Sequence, residues 1–343
     1  MDKKTKTILR VLGLLIFLGL GIKILLPHVQ TIPESIRAIK SLNYWWLLLA
    51  ILCEFLRFMG NGYQLNTIIG LHNEHVSIWQ NMMIALASSS FGMVAGGMVA
   101  SAAASMQWLR KRNVKLQAAS MAGFLPILFN NLAVLVLSLV GVIYLLGLNA
   151  LTATQMNAFV IILVLLVGAL FLIYLFFRNR ESSKKISVNL AQKISTITKK
   201  SYDESKVSHQ IDEIFEIRER FLQKGWKKPV LGTVLIYTFD LLALFFLFLA
   251  AGQPISLKML LIGYALPQLL GKATFVLPGG IGVVETTMIS LYQQIGISNH
   301  VAVVVVMAYR FLAFLLPTLL GFLFVFLLQK EGKVDPSLNV DLK

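Results

Sequence analysis

A helix needs about 20 apolar residues to cross the ~30 Å hydrocarbon core of a bilayer, and this chain of 343 residues supplies such runs repeatedly. Clear stretches are 11–26, 44–59, 132–148, 159–177, 230–251 and 301–328. Hydrophobic residues make up 57% of the chain and charged residues 14%, where soluble domains carry roughly 25% charge. No alternating segments punctuated by turn signals accompany these runs, which argues against a membrane barrel. The fold class that follows is an all-α polytopic membrane protein.

The formal net charge is +15, but its distribution points to topology and not to nucleic acid. Of the 31 Lys and Arg, four precede residue 11, four lie in 110–115, thirteen in 178–228 and three after residue 328. By the positive-inside rule these mark the cytoplasmic face and place both termini there. The connections near 148–154 and 251–257 carry no charge and fall outside, while Arg37 and Lys40 run mildly against the pattern. The first run follows Lys3, Lys4, Lys6 and Arg10 without a small-residue cleavage site, so it reads as a retained helix. Cys53 is the only cysteine, which excludes disulfides within the chain; inert packing is its expected role.

The one long polar insert, 178–228, spaces Ile186, Leu190, Ile194 and Ile197 at helical intervals, and likewise Ile211, Ile214, Phe215, Phe221 and Leu222. Two amphipathic helices resting on anionic lipid of the cytoplasmic leaflet fit this pattern. A solvated linker is the alternative.

Two apolar regions are interrupted. Residues 78–109 contain "SSSFGMVAGGMVASAAAS", and 257–296 contain "LPGGIG". Charge places both flanks of each region on one side, so each is a broken helix hairpin, either re-entrant or made of two short spans. With them the chain has about six full transmembrane helices. Gly96-Gly97 and Gly279-Gly280 are 183 residues apart, and the same offset carries Tyr44 onto Lys227 and Arg57 onto Asp240. This is the pattern of an inverted-topology repeat, whose paired broken helices line the substrate site; coincidence among 24 glycines is the alternative. The expected organisation is a first helix and external loop (1–43), a first repeat (44–148), a connecting helix (149–177), the basic cytoplasmic insert (178–228), a second repeat (229–328) and a cytoplasmic tail (329–343).

Six ionisable residues fall within apolar segments: Glu54, Arg57, Asp240, Lys272, Glu285 and Arg310. Each costs about 2.5–3.5 kcal/mol at a helix centre, so mutual pairing around a polar site is expected. Glu54 and Arg57, three apart, share a helix face and also suit a purely structural pair. Lys272 also suits snorkelling to an interface, and Arg310 suits neutralisation by a carbonyl or headgroup. Pro278, Gly279, Gly280 and Gly282 would start a helix inside the membrane, and its first amides attract phosphate or carboxylate. Glu285 either caps that end or faces a cavity. The first hairpin offers Ser88, Ser89, Ser90, Ser101 and Ser105 around its glycines. No metal or cofactor is expected; His72 and His75 lie in a short loop without further ligands. No P-loop, nucleophile elbow or zinc-protease motif is present.

On "LPGGIGVVE", residues 277–285, the chain resembles the flippase-like transmembrane region of bacterial lysyl-phosphatidylglycerol synthases, the multiple peptide resistance factors, in a stand-alone form. Glu54 and Arg57, the small-residue turn at 92–97 and the basic cytoplasmic loop support the likeness. Relatives carry a proline and an arginine near the first glycine turn and a Glu-Arg pair in the next helix, where this chain has "GMVAGGMVASAAAS" and Asn130-Asn131. The resemblance implies a multi-pass protein of the bacterial cytoplasmic membrane that moves lipid headgroups and contributes to resistance against cationic peptides. The soluble lysyltransferase domain has no room before Lys343.

The expected function is therefore lipid translocation of a phospholipid, aminoacyl-phospholipid or glycolipid. Phosphate would meet Gly96, Gly97 and residues 279–282 beside Arg57 or Arg310; Asp240 and Glu285 would bind a cationic headgroup or titrate. The alternatives are a membrane component of a phosphatidylglycerol lysyltransferase or other lipid-modifying enzyme, and a scaffold subunit. A separate soluble transferase and a second copy of the chain are the protein partners to consider.

Overall fold

The computed structural model describes residues 42–95, 97–148, 153–198, 203–273 and 278–330. The expected first helix at 11–26, the loop after it, Gly96 and the tail from 331 lie outside the described residues. Every described element is a helix or a turn.

The helices are α1 (Tyr44–Gly70), α2 (Ile78–Ala95), α3 (Met98–Lys111), α4 (Leu116–Leu148), α5 (Ala153–Arg178), α6 (Arg180–Thr198), α7 (Glu204–Lys224), α8 (Lys227–Ala250), α9 (Leu257–Ala273), α10 (Val283–Gln294), α11 (Asn299–Arg310) and α12 (Leu316–Lys330). A π-turn, Phe311–Leu315, joins the last two into one bent rod. Among the described residues three segments are long and apolar enough to cross a membrane: Leu116–Leu145, Lys227–Ala250 and Asn299–Gln329.

Helix α1 begins where Asn43 Oδ1 accepts from the Trp45 amide at 3.0 Å, a side-chain N-cap. The Asn43 amide donates to the Ala250 carbonyl at 2.9 Å, pinning the start of α1 to the end of α8. The two helices run antiparallel along their whole length because small residues let them approach. A Cβ on Gly232 would stand 2.9 Å from Gln64 Cβ, and one on Gly60 would stand 3.2 Å from Ile236. Gln64 donates to Thr233 Oγ1 at 2.6 Å inside this seam. Small residues and interhelical hydrogen bonds are what hold helices together in lipid, where burying hydrocarbon gains little. The opposite face of α1 exposes Leu48, Leu52 and Phe55, and Trp45 at its end is 79% exposed. A lipid-facing stripe ending in an interfacial aromatic accounts for both.

Each hairpin packs across onto the other half of the chain. Helix α2 lies on α12, where Ser90 Oγ donates to the Thr318 carbonyl (3.0 Å) and Gly321 sits on the Leu86 carbonyl. Helix α9 lies on α4, where Ser138 Oγ donates to the Ala265 carbonyl (3.0 Å). Within the hairpins, α2 folds back on α3 around Gly92, and α9 folds back on α10 where Tyr292 covers Gly263.

The polar insert forms two helices, α6 and α7, after Asn179 Oδ1 caps α6 by accepting from the Glu181 and Ser182 amides. Its two apolar sets have different fates. Ile211 and Phe215 are buried, with Phe215 against Phe176 and Phe177 at the end of α5, while Ile186 and Leu190 stay 58% and 59% exposed. Asp212 on α7 is held by Arg180 and, at 2.8 Å, by Lys184 on α6.

Candidate functional site

A carboxylate or guanidinium inside an apolar bundle needs a partner of opposite charge and further hydrogen bonds. The structure brings five of the six expected ionisable residues into two linked groups. Lys272 lies in the last turn of α9, and its side chain is outside the described residues.

The first group sits where α1 crosses α8. Arg57 Nε donates to Glu54 Oε2 at 2.6 Å, one turn back on the same face, and stands 3.8 Å from Asp240 Oδ1. Its Nη2 donates to the Ala313 carbonyl at 2.9 Å. That carbonyl lies in the π-turn, where the helical ladder is broken and an oxygen is open to an outside donor. Asp240 accepts from Tyr264 through Oδ2 (2.6 Å) and from Tyr309 through Oδ1 (3.0 Å). Gln268 donates to the Tyr309 oxygen at 3.3 Å. One turn before Asp240, Tyr237 donates to the Asn130 carbonyl on α4 at 2.9 Å.

The second group closes the broken helix. Gly279, Gly280 and Gly282 have φ of 65°, 65° and 82°, the left-handed region that favours glycine. At Gly279 a Cβ would collide with the ring of Phe314. Glu285 Oε2 accepts from the Gly282 amide at 2.7 Å, so this carboxylate occupies the positive end of α10. Its Oε1 accepts from Arg310 Nε at 2.7 Å. Arg310 Nη2 donates to the Gly279 carbonyl (3.0 Å), and its guanidinium lies 4.4 Å from the Phe314 ring centre. Arg310 thereby ties the Pro-Gly-Gly turn to the helix that follows. Tyr309 and Arg310 are adjacent on α11, so one turn of that helix serves both groups.

The first hairpin contributes backbone. Gly97, with φ 76°, donates its amide to the Gly92 carbonyl at 2.6 Å, and Ser101 packs directly under Gly92. The start of α3 has no side-chain cap. Turn Pro278–Gly280 lies against α2, so the second break adjoins the first hairpin. Gly96 lies outside the described residues.

Sequence reasoning missed the tyrosines. Tyr237 carried a signal, since it shares a face with Asp240 three residues on. Tyr264 and Tyr309 looked like ordinary apolar-run aromatics, and only the crossing of α8, α9 and α11 aims both hydroxyls at one carboxylate.

Comparison with known proteins adds to this geometry. The family model described as the lysylphosphatidylglycerol synthase TM region matches residues 10–321. A UPF0104 membrane protein of Pyrococcus horikoshii is 25% identical over 326 residues, covering 90% of this chain and 94% of that protein. One from Methanocaldococcus jannaschii is 29% identical over 157 residues, covering 44% of this chain and 46% of its own length. A third, from Methanothermobacter thermautotrophicus, is 25% identical over 191 residues, 54% of this chain and 55% of that protein.

Proposed function

The chain belongs to the family of the lysylphosphatidylglycerol synthase transmembrane region, and we propose that it is a lipid translocase, moving a phospholipid, aminoacyl-phospholipid or glycolipid headgroup between leaflets of the cytoplasmic membrane. The observation that carries this reading is the broken helix at Pro278–Gly282, held by a buried ion pair beside a second buried charge group. Non-helical backbone at membrane depth is tolerated where it is buried in protein or lines a water-filled cavity, and ionisable side chains there mark substrate or ion paths. The family description makes lysyl-phosphatidylglycerol one cargo to test, alongside phosphatidylglycerol and glycolipid.

An inverted repeat of two halves, 44–148 and 229–328, supports the same reading. Shifted by 183 residues, α2 falls on α9, α3 on α10 and α4 on the bent rod from α11 to α12. Glu54 and Arg57 fall on Tyr237 and Asp240, and Ala313 falls on Asn130. The carbonyls of Ala313 and Asn130 each accept from the pair on the crossing helix, from Arg57 and Tyr237 respectively. A two-fold axis between Arg57 and Asp240 would produce this exchange. Such an axis suits alternating access, in which one repeat rocks against the other.

In the resting arrangement Glu285 fills the positive end of α10. An arriving phosphate would take its place, and Arg310 would pass from carboxylate to phosphate, a bidentate match for either. The test is reconstitution into vesicles with fluorescent-headgroup lipids, following outer-leaflet quenching for wild type and Glu285→Gln. Leaflet exchange faster than in protein-free vesicles, and slowed in the variant, is expected. Absence of exchange for phosphatidylglycerol, lysyl-phosphatidylglycerol and glycolipid probes alike would overturn it.

A further inference from the structure

Two carboxyl groups and one guanidinium meet at the α1–α8 crossing, and their surroundings treat the two acids differently. Asp240 is satisfied on both oxygens by the hydroxyls of Tyr264 and Tyr309. Glu54 has one oxygen on Arg57, while its Oε1, in a residue only 2% exposed, meets no donor. Across the interface the Glu54 carboxyl and that of Asp240 converge on one atom, Arg57 Nε, at 2.6 Å and 3.8 Å. A buried acceptor without a donor is rare and costly. Two carboxylates in contact repel unless a proton lies between them, when one becomes a hydrogen-bond donor to the other.

The charged and titratable groups around the pair come from several elements. Cys53 and Arg57 are on α1, Tyr237 and Asp240 on α8, Tyr264 on α9, and Tyr309, with Arg310 beyond it, on α11. Helix α2 carries no titratable residue, and the π-turn offers only a backbone carbonyl. Arg310 is engaged by Glu285. Among the described residues, Arg57 is thus the one positive charge in contact with both acids.

We propose that Glu54 and Asp240 share a single proton across the α1–α8 crossing, and that its departure and return couples lipid movement to the transmembrane proton gradient. The coupling half rests on the translocase reading; the shared proton does not. With the proton in place, one guanidinium balances one carboxylate and the crossing is closed. Without it, two carboxylates compete for Arg57, whose Nε stands 2.6 Å from one and 3.8 Å from the other. The excess negative charge then favours either separation of α1 from α8 or entry of an amine-bearing headgroup in the proton's place. Proton and amine exclude one another there, so the cycle is an exchange of one cation for the other.

Two measurements test this separately. Infrared spectroscopy of the purified protein should show the carbonyl stretch of a buried protonated carboxyl in wild type. The band should be lost in Glu54→Gln and in Asp240→Asn alike, because either substitution leaves one carboxylate for one guanidinium, with gel filtration reporting that each variant is folded. A carboxyl region indifferent to both substitutions overturns the shared proton, and exchange that needs sodium while no such band is present would assign the place to a bound metal cation instead. In vesicles, one pH unit across the membrane should bias the leaflet distribution of an amine-bearing probe lipid by up to about tenfold for one-to-one coupling, and Glu54→Gln should lose that bias. A probe that crosses but ignores the gradient overturns the coupling and leaves translocation standing. If no probe crosses while the band is present, the translocase reading and the coupling fall together and the shared proton stands.

Discussion

The two helix breaks solve one problem by different chemistry. Both must satisfy backbone groups freed inside an apolar bundle. At the first, Gly97 returns its amide to Gly92, Ser101 fills the space beside it, and among the described residues no charged side chain takes part. At the second, three left-handed glycines leave the Gly279 carbonyl and the Gly282 amide open, and the Arg310–Glu285 pair closes on both. The first break is a steric device and the second an electrostatic one. An ion pair can trade a carboxylate for another anion, so under the translocase proposal the second break is where a phosphate would compete.

The largest expected effect separates the two directly. Arg310→Ala leaves Glu285 buried without its counter-charge, which costs about 3–5 kcal/mol, and thermal unfolding in detergent followed by circular dichroism should fall accordingly. Arg310→Lys keeps the charge but loses the reach to both Glu285 and the Gly279 carbonyl, and should recover only part of the loss. If Arg310→Ala unfolds like wild type, the electrostatic account of the second break fails.

Gly279→Ala should come next, with about 1–2 kcal/mol from its left-handed backbone and a further 1–3 kcal/mol from the collision with Phe314. Adding Phe314→Ala should remove the second part and not the first, measured as the coupling in a double-mutant cycle. At the other break Gly97→Ala meets no neighbouring atom, so only its backbone conformation is strained, at about 1–3 kcal/mol. A cycle pairing Gly97→Ala with Phe314→Ala should therefore be additive.

The smallest effect lies outside the bundle. The hydrogen bond from Lys184, with help from Arg180, holds the Asp212 carboxyl below the usual carboxylate range. A carboxyl lowered on folding adds stability that is present above its unfolded value and is lost as pH falls through its folded one. Spin labels at the exposed positions Asn189 and Glu216 should therefore report α6 and α7 separating only in strong acid, below the ordinary aspartate range. Asp212→Asn should show a modest separation at neutral pH, since exposed ion pairs contribute little. No separation in either case would mean that Phe215 against Phe176 and Phe177 holds the hairpin alone.

Much of this was legible in order. The apolar runs, the two glycine interruptions and the basic insert are local composition, and among the described residues helices formed where they were expected. Tyr44 and Lys227 do begin α1 and α8. The insert was only half legible: spacing identified two apolar stripes, but not that Ile211 and Phe215 would turn inward while Ile186 and Leu190 faced out. Spacing reports which residues share a helix face, and has no information on what that face meets.

By itself the sequence determined that this is a helical membrane protein, since ~20-residue apolar runs have no other soluble or sheet-forming outcome, and it marked the charged residues that such a bundle must bury. The tertiary structure alone decided how those charges are shared. Glu54–Arg57 is a same-helix pair at a three-residue interval, but Asp240, Tyr264 and Tyr309 reach it from three other helices, and Glu285 reaches Arg310 across 25 residues of chain. Long-range Coulomb and hydrogen-bond partners are set by which helices cross at which depth. That depends on where glycines and other small residues allow backbones to touch, a property of pairs of segments and not of any segment read alone.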